Sequence, residues 1–210
     1  MLFLIFLNDI ASSIPAKLSM FADDCIIYMN VTTLQDQQVL NDCLNVIQNW
    51  CDNWQMSLNT KKCVSMCITR KKTPLTFAYE IGGHVLKQVS EHKHLGVVIT
   101  ENLTWNAHID SICQKASKKF LKHNLKRATP DTKLTAYKSY VRPILEYADI
   151  VWDPYYQTAI DKIEKIQRRA LRFIYNSYSR QSSVTSLYET SQVELLMIRR
   201  RNNRLKFFFS

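Results

Sequence analysis

The chain of 210 residues is 46% hydrophobic and 22% charged, enough apolar matter to bury a core in one or two domains, and this excludes a disordered chain. With three glycines in all, the glycine-rich phosphate loops of Walker and dinucleotide-binding proteins are excluded too. The formal net charge of +10 is uneven: residues 1–100 hold 8 Lys and Arg against 8 Asp and Glu, and residues 101–210 hold 20 against 10. The second half therefore reads as a surface for a polyanion, most commonly nucleic acid, with solvated basic helices as the plainer alternative.

The first apolar run, Leu2 to Leu7, has no basic residue ahead of it and stops at Asn8-Asp9. It is too short for a membrane span and predicts a buried strand or helix end in an intracellular chain, nuclear or cytoplasmic. Next comes KLSMFADDCIIYM at 17–29. Leu18, Met20 and Ala22 alternate toward Asp23-Asp24, and Ile26 and Tyr28 alternate away, which predicts a β-hairpin with both carboxylates at its tip. Like charges held together there repel, and a hard divalent cation relieves the repulsion. An ordinary solvated turn is the competing reading of the same pair.

Thr33 to Trp54 carries apolar residues at 39, 40, 43, 44, 47, 50, 51 and 54, the spacing of an amphipathic helix, with Thr33 and Asp36 as its cap. Trp50 and Trp54 fall on its buried face. Met56 and Leu58, then Val64, Met66 and Ile68, alternate around the turn Asn59-Thr60-Lys61-Lys62 and predict extended segments. Gly82-Gly83 between Leu75–Ile81 and His84–Val89 predicts a second hairpin, and Leu95–Ile99 a last short strand. The six cysteines, at 25, 43, 51, 63, 67 and 113, lack the paired spacing of a zinc site or disulfide framework and read as reduced core residues.

From Asn106 the period is helical. Ile109, Ile112, Cys113, Ala116 and Phe120 form one stripe, and Lys115, Lys118, Lys119, Lys122 and Lys126 another. Thr129-Pro130 starts a further helix through Leu134, Tyr137 and Val141, kinked or restarted at Pro143. Thr158–Tyr175 sets Ile160, Ile163, Ile166, Ala170 and Ile174 inward and Lys162, Lys165, Arg169 and Arg172 along another side. The stretch from Val193 to Phe209 holds Arg199, Arg200, Arg201 and Arg204 and ends in Phe207-Phe208-Phe209, as though cut there.

Seven segments in this order resemble the rear half of a reverse transcriptase of the non-LTR (LINE-type, Jockey-like) retrotransposon kind. They are LFLIFLNDI at 2–10, FADD at 21–24, LNTKKC at 58–63, HLGVVIT at 94–100, LTW with HI at 108–109, YVRPILEYADIVW at 140–152 and KIEKIQRRALRFI at 162–174. The resemblance implies that Asp23 and Asp24 are catalytic and bind Mg²⁺ (or Mn²⁺), with Phe21 and Ala22 lining the floor near nucleotide and primer. It implies that Lys62, with Lys61 second, assists departure of pyrophosphate. His94, Leu95 and Gly96 would belong to the strand pair that grips the primer, and Lys115, Lys119, Lys122, Lys126, Lys162, Lys165, Arg169 and Arg172 would contact the backbone of an RNA–DNA or DNA duplex. No metal role falls to His92, His94 or His108.

The family also uses a third aspartate on an earlier palm strand, together with fingers, and the chain reads as beginning inside the palm, as a late-starting gene model or degraded copy would. The expected fold class is α+β: a partial antiparallel palm over residues 1–104, then a basic helical thumb-like region over 105–210. The expected function is metal-dependent RNA-directed DNA polymerisation from a primer 3′-hydroxyl, with RNA template, DNA primer and dNTP as partners and the isolated chain inactive. A non-catalytic nucleic-acid-binding fragment and an inert relic of a transposable element are the alternatives.

Overall fold

A computed structural model of the chain describes residue 10 and residues 14–119, 125–179 and 183–209, which divide into two units, 1–90 and 91–210. The expected element at Leu2–Leu7 lies outside the described residues, as do Phe120 and Lys122. The structure is α+β, with helices set beside short strand pairs. Among the described residues, no helix is long and apolar enough to cross a membrane.

The first unit opens on a hairpin of β1 (Lys17–Phe21) and β2 (Asp24–Tyr28), paired antiparallel from Lys17↔Tyr28 to Phe21↔Asp24. Its two-residue loop is therefore Ala22-Asp23, and Asp24 already begins the second strand. This shifts the inward face. Leu18↔Ile27 and Met20↔Cys25 share one side and Ser19↔Ile26 and Lys17↔Tyr28 the other, so Ile27 and Met29 pack on the core in place of the expected Ile26 and Tyr28. Helix α1 (Leu34–Asn53) starts as the sequence predicts. The Thr33 hydroxyl accepts from the Asp36 N–H, and the Asp36 carboxylate accepts from the N–H groups of Thr32 and Thr33. Those donors, the Thr32 N–H first, lower the Asp36 carboxyl to about 2.

Cys43, Ile47 and Cys51 of α1 meet Leu18 and Ile27 of the hairpin and Met56 and Leu58 after the helix in one core. Each buried Ile or Leu there contributes about 1.5–3 kcal/mol. Trp54 is half exposed, not buried as its spacing predicted, because the helix ends at Asn53 and leaves it at the cap. The remaining strands are two residues long. β3 (Val64–Ser65) pairs in parallel with β6 (Lys87–Gln88), and β4 (Glu80–Ile81) pairs antiparallel with β5 (His84–Val85) around Gly82 and Gly83, at φ 55 and 75. The Asn41 side chain accepts from the Glu80 N–H at 2.8 Å, tying β4 to α1. Among the described residues, the expected antiparallel palm-type sheet is thus present as separate strand pairs, one of them parallel.

The second unit begins with the hairpin of β7 (Glu91–His94) and β8 (Val97–Thr100). Leu95 and Gly96, read from sequence as strand, form its turn. The hairpin belongs with the helices because Val97 enters a core with Ile109, Ile112, Cys113 and Ala116 of α2 (Asn106–Lys119). Thr129 caps α3 (Pro130–Ala136), and a π-turn at Tyr137–Val141 leads into α4 (Arg142–Glu146). Pro143 cannot donate to the carbonyl one turn back and its ring needs room there, and the wider π-turn, with Arg142 N–H bonded to Tyr137 O, absorbs both without breaking the rod. Helices α5 (Gln157–Ile174), α6 (Val184–Ser191) and α7 (Leu196–Phe208) close the unit. Ile163, Ala170, Leu171 and Ile174 of α5 are buried at its centre, and Ile160 is half-buried.

Trp152 is fully buried there, its Nε1–H donating to Tyr147 O at 2.9 Å and the His108 ring set edge-on at 4.9 Å between centroids. The buried Glu164 carboxylate accepts from the Met197 N–H at 2.9 Å and from the Tyr188 hydroxyl, and so caps the start of α7, where a negative charge complements the helix dipole.

Candidate functional site

In the first unit, Phe21, Ala22, Asp23 and Asp24 are all exposed at the hairpin tip. Ala22 has φ 53, the left-handed conformation that a two-residue loop needs at its first position, and a residue with a Cβ holds it at a cost of about 1 kcal/mol. Among the described residues, neither aspartate has an ion pair or a hydrogen bond, so their oxygens are open to a cation. Hard carboxylate oxygens suit Mg²⁺ or Mn²⁺. Among the described residues, no group of three or more His, Cys, Asp or Glu that could hold a metal ion exists, so this donor set is a pair.

Lys61 and Lys62 are exposed on a turn closed by Lys62 N–H to Asn59 O at 2.9 Å. Cys25, which follows Asp24, has its thiol pushed up to about 11 by burial first and then by the thiols of Cys51 and Cys63, and Cys63 follows Lys62. All six cysteines are free thiols.

His94, Leu95 and Gly96 lie in the second unit. Leu95 and Gly96 have φ 44 and 87, the pair of positive angles of a tight hairpin turn, and the strain at a bulky leucine is about 1–2 kcal/mol. His108, given no role from sequence, binds this hairpin: its Nδ1 accepts from the Val98 N–H at 3.2 Å, while Nε2 is buried without a hydrogen-bond partner among the described residues. Burial first, and the nearby Lys115, push its pKa down to about 4.

That depression makes stability depend on pH. The folded imidazole stays neutral down to about 4, while in the unfolded chain it takes a proton from about 6.5 downward. The stabilisation is complete above 6.5 and is lost as pH falls toward 4, by about 3 kcal/mol in all. Urea unfolding at pH 7 and pH 4.5 measures this, and His108→Gln removes most of the difference.

The basic residues divide into two sets. Lys115, Lys118, Lys119, Lys126, Lys165, Arg169 and Arg201 are exposed, and Arg172 is half-buried. Lys162 is ion-paired with Asp110 of α2. Arg199, Arg200 and Arg204, which contribute to the positive charge of the second half, are structural: Arg199 binds Glu146 bidentately, and Arg200, fully buried over the Trp152 ring, shares Asp153 with Arg204, which reaches it at 2.7 Å. Asn203 adds a bond to Asp149 at 2.7 Å. Acids at 146, 149 and 153 thus meet the polar side of α7, a complementarity that the spacing of those acids could have signalled. Lys133 is buried with its ammonium 4.9 Å from the Phe173 ring centroid, a position that sequence reading missed.

Residues 1–99, which include the carboxylate hairpin and the strained turn, match the reverse transcriptase (RNA-dependent DNA polymerase) family. It is similar to a probable RNA-directed DNA polymerase from transposon BS of Drosophila melanogaster, 28% identical over 166 residues, 76% of this chain and 18% of the relative. It is also similar to the RNA-directed DNA polymerase from mobile element jockey of Drosophila funebris, 29% identical over 160 residues, 73% of this chain and 17% of the relative. A probable RNA-directed DNA polymerase from transposon X-element of Drosophila melanogaster is 25% identical over 174 residues, 79% of this chain and 19% of the relative. The chain therefore spans less than a fifth of each of these relatives. No solved structure matches it.

Proposed function

We propose that the chain is a working part of an RNA-directed DNA polymerase of a non-LTR retrotransposon, with Asp23 and Asp24 as the metal-binding pair. The observation that carries this is the exposed, unpaired Asp23 and Asp24 at a hairpin tip inside the segment that matches the reverse transcriptase family. Mg²⁺ or Mn²⁺, when bound, supplies charge stabilisation at the oxygens of the phosphoryl transfer. The chain's own residues hold that ion and shape its surroundings. Phe21 and Ala22 line the floor beside nucleotide and primer, and the Lys62 ammonium, with Lys61 second, neutralises the departing pyrophosphate. The reaction joins the primer 3′-hydroxyl to the α-phosphate of a dNTP along an RNA template.

Residues 1–104 serve as palm and 105–210 as thumb, so the hairpin at 91–100 is a palm element by role and part of the helical unit by packing. Primer extension with RNA template, DNA primer, dNTPs and Mg²⁺ tests the reading. A polypeptide joining this chain to the upstream part of a reverse transcriptase extends the primer only with the divalent ion. The chain alone extends none, because among the described residues the donor set is a carboxylate pair, which leaves a two-metal site short of ligands.

A second reading, nucleic-acid binding without catalysis, is favoured by the exposed lysines of α2 and α5. About six neutralised phosphates give a slope of log K against log salt near −5, from about −0.9 per phosphate. Reversing Lys115 and Lys119 to Glu flattens that slope and weakens binding to all sequences alike, whereas Arg204→Gln, which breaks an internal ion pair, leaves it unchanged. Filter binding across a salt series checks both, and losses in proportion to the charge removed, four units in the double reversal against one in Arg204→Gln, would show that net charge alone sets the affinity.

A further inference from the structure

We propose that Tyr147 is the positioning residue of the Leu95-Gly96 tip, fixing the strained turn so that it meets the end of a primer strand as a preformed surface. The functional half of this rests on the primer-grip reading of the hairpin, and the structural half stands without it. Leu95 is held at φ 44, a conformation that a leucine does not adopt unaided. Two contacts from Tyr147 account for it. Its hydroxyl donates to Leu95 O at 2.9 Å, and its ring lies so close beneath Gly96 that a Cβ there would stand 2.8 Å from Cε1. A side chain at 96 is therefore excluded by the ring as well as by φ 87.

Tyr147 is itself fixed. It leaves α4 in an extended conformation, ψ 124, and its carbonyl accepts from the indole of the fully buried Trp152. The tip is thus tied through one tyrosine to the centre of the helical core, while Val98 on the adjoining strand is tied to the same core through His108. The Leu95 side chain stays 38% exposed, so the clasp holds the backbone from below and leaves the upper side open. An order imposed before binding spares a ligand the entropy of ordering the turn, which is where a positioning residue gains its effect.

The test uses the full chain, Tyr147→Phe, which keeps the ring and removes the hydroxyl, and Gly96→Ala, which pushes the ring away. Amide hydrogen exchange at Val97, which closes the ladder opposite His94, rises about tenfold in Tyr147→Phe, as loss of one hydrogen bond on a local opening requires, with exchange in α5 unchanged. The wild type binds an RNA–DNA duplex with a recessed 3′ end about fivefold more tightly than a blunt duplex, both variants lose that preference, and Tyr147→Phe keeps its affinity for the blunt duplex. Unchanged exchange in Tyr147→Phe overturns the clasp. Raised exchange with the end preference intact overturns its positioning role. A wild type without end preference overturns the primer-grip reading, and the exchange result then decides the clasp by itself.

Discussion

Asp24→Asn, placed in a polypeptide that completes the polymerase, lowers primer extension by about 1,000-fold or more and leaves the melting temperature where it was. The size follows from the chemistry, since removing a carboxylate that holds a metal ion at a phosphoryl transfer forfeits several kcal/mol of transition-state stabilisation, and about 4 kcal/mol is a factor of 1,000. The unchanged stability follows from the geometry. Asp24 is exposed, opens β2 opposite Phe21, and makes no ion pair among the described residues, so its neutralisation falls within the ±0.5 kcal/mol typical of surface substitutions. Asp23→Asn behaves alike, because it occupies the adjoining loop position. Single-turnover extension with RNA template and Mg²⁺, read beside thermal melting, separates the two effects, and a near-normal rate in Asp24→Asn would remove the metal assignment.

Trp152→Ala has the largest expected effect on stability, about 3–5 kcal/mol. The indole is fully buried, and its loss opens a cavity in the core it shares with Leu145 and Ile163, strips the Tyr147 carbonyl of its donor, and removes the ring under Arg200 and against His108. Arg200 is then a buried charge that keeps its ion pair with Asp153 but has lost the ring beneath it. Unfolding of residues 91–210, followed by near-UV circular dichroism, shifts down by about 10 °C or more. Trp54→Ala, which truncates a half-exposed ring at the end of α1, costs about 1 kcal/mol by comparison. Equal shifts would mean that Trp152 does not organise its core.

The helices were legible in the sequence because their signals are local and redundant. Thr33 with Asp36 and Thr129 with Pro130 marked starts that the structure keeps, and the Ile109–Ala116 and Ile163–Ile174 stripes are the buried faces. The strands were less legible. A two-residue ladder such as Val64–Ser65 leaves no alternation to read, and its parallel partner, Lys87–Gln88, carries no apolar signal at all. At the carboxylate hairpin the register could not be chosen from Ile26 and Ile27, which are both apolar, and the left-handed Ala22 fixes it instead. The basic surface was half legible: Lys115 and Lys119 are open as their stripe implied. Arg199, Arg200 and Arg204 are not, since their acidic partners lie about fifty residues earlier in the chain.

The ladder of polar bonds between α7 and the acids at 146, 149 and 153 also bears on the order in which the chain folds. Arg199 and Glu146 are 53 positions apart and Asn203 and Asp149 are 54 apart, whereas the carboxylate hairpin closes across two loop residues. Such a hairpin forms in about 1–10 μs, while contacts of long sequence separation carry a larger loop-closure entropy and form late. During synthesis, the acids at 146 to 153 leave the ribosome well before their partners, and α7 seals the helical unit only afterwards. Until then Trp152 lacks the cover of Arg200, which makes the interval before α7 docks the period when a chaperone or a protease would find this chain most open.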